Sequence, residues 1–417
     1  MKQDTSSAIK KKKSIPTGKY VYVFGDQFSE GDTSMKNLLG GKGANLAEMN
    51  RVGIPVPPGF TLTTEVCSIY TDVGREKTIE LVQKQVKKGI SWMERIMHRK
   101  FGDRQDPLLL SVRSGARVSM PGMMDTVLNL GLNDQTAETM IAGGANPRFV
   151  WDSYRRLVQM YGDVVMGLKP VNKEDEDPFE VEIHRLKKEK GVELDTDLTA
   201  ADLKELVRRF KQLILEGTGQ AFPDDPMTQL WGSVMAVFES WNNERARVYR
   251  KLNDIPDTWG TAVNVQAMVY GNLNENSATG VAFTRDAATG ENLFNGEYLF
   301  NAQGEDVVAG IRTPRQVTLE GSRRWARLAH VSEEERAAKY PSLEEAMPEA
   351  YHQLHEYQLR LERHYRDMQD LEFTIQDGRL WLLQTRSGKR TGAAMVKIAM
   401  DMLRDGMIDG KTALLRV

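Results

Sequence analysis

The glycine-rich stretch Gly40-Gly41-Lys42-Gly43 combines residue types that suit phosphate chemistry. Glycines let backbone amides approach an anion closely, and a helix that begins after them adds partial positive charge. Lys42 would supply a mobile cation for phosphate oxygens. The stretch does not follow the usual phosphate-loop pattern, however, and a glycine turn before a helix is common. This segment alone therefore leaves two interpretations, phosphate binding by Lys42 and a purely structural turn.

A second segment combines two arginines with small polar residues. Leu108 to Val112 is predicted to be a buried strand, so Arg113 emerges at its end, where open α/β sheets commonly bind ligands. Arg113 and Arg117 are four residues apart, with serine and glycine between them, and can offer forked donors to a polyphosphate. The alternative is a surface loop whose arginines pair with neighbouring acidic residues. The spacing does not decide between these two interpretations.

A third segment, from Asp370 to Arg386, is predicted to form a β-hairpin with a polar face. Strand alternation places Asp370 and Glu372 on one face, where Gln384 and Arg386 can join them from the second strand. Carboxylate and amide oxygens are ligands for Mg²⁺, and a guanidinium binds phosphate. The hairpin therefore suits magnesium-nucleotide chemistry, with an exposed polar sheet face as the alternative.

The register of this hairpin decides whether its polar groups meet. A two-residue turn at Asp377-Gly378 would pair Glu372 with Leu383 and send Gln384 to the opposite face. A three-residue turn over 376–378, with Gly378 left-handed, would pair Asp370 with Gln384 and gather the polar residues on one surface. We expect the three-residue turn for that reason. It leaves four apolar residues for the core: Phe373, Ile375, Trp381 and Leu383.

A fourth set of segments lies in predicted strands from 264 to 306. Their apolar side chains and free backbone groups could hold an adenine, while Glu297 and Glu305 could bind ribose hydroxyls or the amino group. Composition alone makes these ordinary strands, so the pattern by itself does not favour a nucleotide site.

Composition indicates a globular chain of two or three compact units. Of its 417 residues, 40% are hydrophobic and 27% are charged. No run of apolar residues approaches the length that spans a bilayer, about eighteen residues. Lys and Arg number 56 against 58 Asp and Glu, so we expect neither nucleic acid nor a membrane as partner, and any anion site must be local. The single cysteine, Cys67, and an N-terminus without a signal pattern predict a cytoplasmic location.

The elements that must position these segments mix helices and strands, which predicts an α+β fold. Apolar residues from Ile79 to Met97 recur at steps of three and four, so a helix with one buried face is expected there. Thr199 and Asp202 form a capping-box pattern at the start of a helix that should stop at Gly217. After Trp259 the pattern changes to strands, which indicates a new domain.

Taken together, these segments resemble the pyruvate phosphate dikinase family from about Tyr20 to the last residue. The resemblance is specific, because phosphoenolpyruvate synthases keep the strand-end arginine and the terminal glutamine-threonine-arginine but not the SMPGMMDT loop. The stretches that carry it are LLGGKGANLAEM, PLLLSVRSGARVSMPGMMDTVLNLGLND, GTAVNVQAMVYGN, TGVAFTRDAATGE, NAQGEDVVAG and DMQDLEFTIQDGRLWLLQTRSGKR.

The resemblance implies an ATP-grasp fold of two or three subdomains with the nucleotide cleft between them. The expected divisions are a disordered tail (1–19), a first lobe with the glycine-rich loop (20–134), a mainly helical subdomain (135–225), a second lobe with the adenine and metal site (226–390) and the start of a linker to a phosphohistidine domain (391–417).

The resemblance also implies roles for individual residues. Three basic residues would contact the ATP phosphates: Lys42, Arg113 and Arg386. Three would hold Mg²⁺: Glu372, Gln384 and Asp370. Five fall where family members hold the nucleotide: Gln266, Met268, Thr279, Glu297 and Glu305. Met124 lies in the loop that would cover the phosphates, and Arg156 would be a further phosphate ligand.

The implied function is MgATP binding for a phosphotransferase that leads to phosphoenolpyruvate. The β-phosphoryl group would pass to a carrier histidine and the γ-phosphoryl group to inorganic phosphate. None of the six histidines lies in the threonine-serine-histidine-alanine-alanine context of that carrier, so we expect it in a separate phosphohistidine domain of a longer protein. Two alternatives stay open, a phosphoenolpyruvate synthase-like ATP domain and a nucleotide-binding module without turnover.

Overall fold

Two antiparallel sheets organise the chain in a computed structural model that describes residues 18–170, 175–310 and 312–417. The first sheet has the strand order β2-β1-β3-β6-β4-β5 and the second β11-β10-β7-β8-β9. The strands are β1 (Val21–Gly25), β2 (Phe28–Ser29), β3 (Gly59–Leu62), β4 (Leu110–Ala116), β5 (Thr126–Leu130), β6 (Thr261–Ala267), β7 (Ala278–Phe283), β8 (Asn295–Phe300), β9 (Arg315–Gln316), β10 (Gln369–Gln376) and β11 (Arg379–Ser387).

Helices cover both sheets and fill the segments between them. They are α1 (Lys36–Arg51), α2 (Thr64–Val73), α3 (Arg75–Met97), α4 (Asp134–Ala142), α5 (Pro147–Val164), α6 (Pro178–Lys190), α7 (Ala200–Thr218), α8 (Pro226–Ser240), α9 (Glu244–Leu252), α10 (Gly304–Ala309), α11 (Leu319–Leu328), α12 (Glu333–Lys339), α13 (Leu343–Ala346), α14 (Pro348–Tyr365), α15 (Gly392–Arg404) and α16 (Gly410–Leu415). No helix among the residues that the structure describes is both long and apolar enough to cross a bilayer.

Each sheet has its own hydrophobic core. The larger core joins the first sheet to the helices from α2 to α9, and the second core joins the second sheet to α1 and α14. The predicted buried face of α3 is confirmed, because Val82, Val86 and Met93 are fully buried. The capping box of Thr199 and Asp202 is also confirmed, although α7 ends at Thr218, with Gly219 as its left-handed cap, and not at Gly217.

The division between the two lobes differs from the predicted boundary at residue 226. Strand β6 lies within the first sheet, between β3 and β4, where Asn264 pairs with both Thr61 and Arg113. All seven residues of β6 are buried, and a strand covered on both faces belongs in the middle of a sheet. The second sheet therefore begins with β7 at Ala278.

The predicted tail and the predicted linker lie at the two ends of the sequence. Most of the predicted tail, 1–19, falls outside the described residues. In the predicted linker segment, α15 and α16 pack with Met368 into a third, small core. That these helices lead into a further domain stays a prediction.

The closing hairpin gathers its polar residues on one face, but its turn and register differ from the prediction. Gln376 pairs with Arg379, so the turn has two residues, Asp377 and Gly378, both with positive φ (49° and 77°), and the predicted three-residue turn is wrong. A β-bulge between Glu372 and Phe373 then shifts the register by one residue, because Leu383 has no partner on β10.

The bulge returns the polar residues to one face of the hairpin. Beyond it Glu372 pairs with Gln384, and Asp370 pairs with Arg386. Leu382 packs into the core and is fully buried, whereas the predicted core residue Leu383 is only half-buried.

Candidate functional site

A cavity of about 540 Å³ lies where α1, the end of β4 and the hairpin β10–β11 meet. Helix α1 reaches β11 directly, because the side-chain amide of Asn45 donates to the main-chain carbonyl of Thr385 at 3.0 Å. The walls thus come from both sheets, in agreement with a cleft between two lobes. Its lining includes Lys42, Asn45, Arg113, Arg117, Met124, Thr126, Glu372, Gln384 and Arg386.

The glycine-rich segment forms its wall through a break inside α1. Gly40 has φ 69° and ψ 170°, which interrupts the helix, and a Cβ there would lie 1.8 Å from the carbonyl oxygen of Gly115. Only glycine allows this backbone approach and this conformation. The break fixes the following turn of α1, which carries Lys42, against the end of β4.

Charged and amide groups pair across the hairpin face. Gln384 Nε2 donates to Glu372 Oε1 at 3.0 Å, and Arg113 Nη2 lies 3.5 Å from Glu372 Oε2. Arg386 Nε donates to Asp370 Oδ2 at 2.7 Å, and this carboxylate is almost completely buried. Two of the cavity's arginines are therefore already matched with carboxylates.

Lys42 is held in an environment that favours its neutral form. Loss of solvation lowers the pKa of its ammonium to about 7, the positive charges of Arg113 and Arg386 lower it too, and Glu372 opposes the shift. An anion bound in the cavity would raise the pKa of Lys42 and favour its charged form. The cavity is thus electrostatically suited to a polyanion.

The residues present fit a Mg²⁺ ion that shares its ligands with phosphates. No cluster of three His, Cys, Asp or Glu side chains able to hold a metal occurs in 18–170, 175–310 or 312–417. Mg²⁺ at nucleotide sites usually takes only one or two carboxylates together with phosphate oxygens and water. The Glu372 carboxylate and the amide oxygen of Gln384, next to each other on one face, provide that donor set.

Six of the predicted site residues line this cavity: Lys42, Arg113, Met124, Glu372, Gln384 and Arg386. A seventh, Asp370, is held beside them by its bond to Arg386. Sequence reasoning missed Asn45, which follows Lys42 by three residues and so lies on the same side of α1. That spacing was the available signal.

The predicted adenine-side residues lie elsewhere, outside the described lining of this cavity. Gln266 is buried and donates to the Pro57 carbonyl at 2.9 Å, and Thr279 is buried and donates to the Phe373 carbonyl at 3.1 Å. Met268 packs against the larger core, and exposed Glu297 accepts from Gln316. The side chain of Glu305 falls outside what the structure describes. Their contact with a nucleotide stays a prediction.

Arg156 also lies apart from the group around Lys42. Its guanidinium binds Asp152 at 3.1 Å and Asp306 at 2.9 Å, and it lines a separate cavity of about 570 Å³ beside α5. Its predicted contact with phosphate stays a prediction.

The chain matches the family described as "Pyruvate phosphate dikinase, AMP/ATP-binding domain" in two overlapping stretches, residues 36–88 and 78–407. The chain belongs to this family. The cavity described above lies inside the matched residues, as do all thirteen predicted site residues. The α+β fold with two open antiparallel sheets is that of the family's ATP-grasp domain.

Relatives of this pyruvate phosphate dikinase domain are similar along almost its entire length. It is 52% identical over 400 residues to pyruvate, phosphate dikinase of Clostridium symbiosum and 54% identical over 399 residues to that of Rhizobium meliloti (strain 1021), in each case over 96% of the chain. The chloroplastic enzyme of Flaveria trinervia is 49% identical over 399 residues. The chain spans about two-fifths of these relatives, 42%, 42% and 39% of their length.

Proposed function

We propose that this chain binds MgATP and acts as the nucleotide half of a pyruvate phosphate dikinase. The observation that carries the proposal is the convergence of Lys42, Arg113 and the polar face of the hairpin on one cavity inside the matched family region. Sequence identities of 52% and 54% to pyruvate, phosphate dikinases favour this reaction over the phosphoenolpyruvate synthase alternative.

The proposed reaction has two phosphoryl transfers. In the first, an imidazole nitrogen of the carrier histidine bonds to the β-phosphorus, the bond from that phosphorus to the α–β bridging oxygen breaks, and AMP leaves with this oxygen. In the second, an oxygen of inorganic phosphate bonds to the γ-phosphorus, the bond from that phosphorus to the β–γ bridging oxygen breaks, and pyrophosphate leaves. The β-phosphoryl group stays on the histidine, which a phosphohistidine domain would supply, and continues to phosphoenolpyruvate.

This chain's residues would contribute positioning and charge neutralisation. Lys42 and Arg113 would bind phosphate oxygens, and Arg386, aligned by Asp370, would do so from the hairpin. Glu372 and Gln384 would hold Mg²⁺, which when bound would neutralise further charge on the phosphates. The chain needs no nucleophilic side chain of its own for this chemistry.

The expected cytoplasmic location is part of the proposal. Its support is the single cysteine, Cys67, which is buried in the larger core and has no partner for an internal disulfide in this sequence. A reducing compartment suits such a protein.

Transfer in trans tests the proposed function. Calorimetry first measures MgATP binding to the chain, and the chain is then mixed with a separately produced phosphohistidine domain of a dikinase relative and ATP labelled at the β-phosphorus. We expect label on the domain, and a loss of most of it with Lys42→Met. Lys84→Met, at an exposed lysine of α3, is the matched control and should behave like the wild type.

Two outcomes would contradict the proposal at different levels. No binding of MgATP would rule out a nucleotide site in this chain. Binding at saturation without transfer of label would instead support the nucleotide-binding module without turnover.

A further inference from the structure

Arg117 is a cavity residue that the hypothesis above does not use. It follows the last residue of β4 and lines the cavity together with Arg113. Arg113 lies within β4, and Arg117 lies in the bend that follows it, at most about 13 Å further along the chain. The two arginines thus share one cavity wall but reach different parts of it.

Arg117 is a charged side chain without an acidic partner. Within the described residues it forms no ion pair, and its Nε is buried without a hydrogen-bond acceptor. Burial lowers the pKa of its guanidinium, and no nearby carboxylate offsets this. By contrast, Arg113 is 3.5 Å from Glu372 and Arg386 is 2.7 Å from Asp370.

The guanidinium of Arg117 lies near an aromatic ring, and the backbone of this residue lies near α1. The central carbon of the guanidinium lies 5.2 Å from the ring centroid of Trp259, which is within cation–π distance. The main chain of Arg117 also lies close to α1, because a Cβ on Gly41 would be 3.4 Å from its carbonyl oxygen. A guanidinium without an acidic partner among the described residues is a ready binding group for an oxyanion.

Arg117 is also electrostatically distinct from the group around Lys42. The charges that act on Lys42 are those of Arg113, Glu372 and Arg386, whereas burial alone acts on Arg117. The cavity therefore contains a guanidinium that lies outside the group of charges acting on Lys42.

We propose that Arg117 forms a second oxyanion subsite in this cavity, which binds inorganic phosphate beside the nucleotide triphosphate. The open neighbours of Arg117 on the loop, Ser119 and Gly122, also line the cavity and can add a hydroxyl and a backbone amide. The proposal rests on the proposed function, because the phosphate would be the acceptor of the γ-phosphoryl group.

Phosphate titrations of the whole chain test this subsite. Calorimetry measures the affinity for inorganic phosphate, at constant ionic strength, with and without a saturating magnesium complex of a non-hydrolysable ATP analogue. We expect the analogue and phosphate to bind together, and Arg117→Met to weaken phosphate about tenfold or more and by clearly more than it weakens the analogue. Arg208→Met, at an exposed arginine of α7, is the matched control and should leave both affinities unchanged.

A second variant separates charge from packing. Arg117→Lys keeps the charge but loses the fork and should retain part of the phosphate affinity, whereas Arg117→Met keeps the apolar stem over Trp259 and should not. If Arg117 only packs, phosphate affinity will be equal in wild type and Arg117→Met, or undetectable in both, and the proposal fails. Competition between phosphate and the analogue would also overturn it, because Arg117 would then serve the triphosphate.

Failure of this inference can be told apart from failure of the proposed function. A wild-type chain that does not bind the ATP analogue contradicts the function itself. A chain that binds the analogue normally but whose phosphate affinity does not depend on Arg117 contradicts only the second subsite.

Discussion

At the scale of single residues, the cavity is defined by which charges are matched and which are not. Arg113 and Arg386 are next to carboxylates, while Lys42 has lost solvation and lies near both arginines. A polyanion would satisfy all three cations at once, so their arrangement is unfavourable without ligand and favourable with it.

Lys42 should make MgATP affinity fall as the pH rises. The pKa of Lys42 is about 7 in the free protein, so the ammonium is mostly deprotonated above that pH. The triphosphate raises the pKa of Lys42 in the complex, so binding above about pH 7 takes up a proton and affinity falls by at most about tenfold per pH unit. Calorimetric titrations between about pH 7.5 and 9.5, where phosphate groups are fully ionised, measure this slope.

Lys42→Arg is the control for this slope. A guanidinium stays protonated throughout the same window, so the affinity of the variant should change little with pH. Equal slopes for wild type and variant would show that another group titrates.

Glu372→Gln should remove most of the gain in ATP affinity that Mg²⁺ provides. The change keeps the size of the side chain but removes the negative charge that would hold the metal beside Gln384, so the gain should shrink by about tenfold or more. ATP titrations with Mg²⁺ and with a chelator measure it. Glu291→Gln, at an exposed carboxylate between β7 and β8, should keep the wild-type gain, and an undiminished gain in Glu372→Gln would mean that the metal binds elsewhere.

At the scale of elements, the site depends on two local departures from regular structure. One is the break in α1 at Gly40, and the other is the bulge that brings Gln384 opposite Glu372. The grouping of the polar residues on one face of the hairpin could be predicted from strand alternation, but the predicted turn is wrong. The bulge could not be predicted, because no residue type marks Leu383 as the unpaired position. The packing of Leu382 into the core decides where the bulge lies.

Gly40→Ala should destabilise the fold and weaken ATP binding together. The new methyl group would meet the Gly115 carbonyl at 1.8 Å, so α1 must move away from β4 and carry Lys42 with it. Gly74→Ala is a close control, because Gly74 has a similar backbone (φ 80°, ψ −179°) but nothing within 4 Å of its Cβ position.

Thermal and denaturant unfolding, with ATP titration, compare these two variants. Gly74→Ala carries only the conformational cost, about 1–3 kcal/mol, and Gly40→Ala should exceed it by about 2 kcal/mol or more. Equal losses of stability would show that the contact with Gly115 does not constrain α1.

At the scale of the whole molecule, the cavity exists because two sheets with separate cores meet at α1. The α+β class and the mostly helical segment after β5 could be predicted from periodicity alone. The place of β6 could not, because a run of buried residues from Thr261 to Ala267 does not say which sheet it joins, and pairing with β3 and β4 across about 150 to 200 residues of sequence decides it.

A structure of the chain with Mg²⁺ and a non-hydrolysable ATP analogue tests the central claim most directly. The claim is that α1, β4 and the closing hairpin surround one triphosphate. The predicted result is phosphate oxygens within about 3.2 Å of Lys42, Arg113 and Arg386, with the metal on Glu372 and Gln384. A triphosphate in the other cavity, beside Arg156, with the Lys42 group facing only solvent, would contradict it.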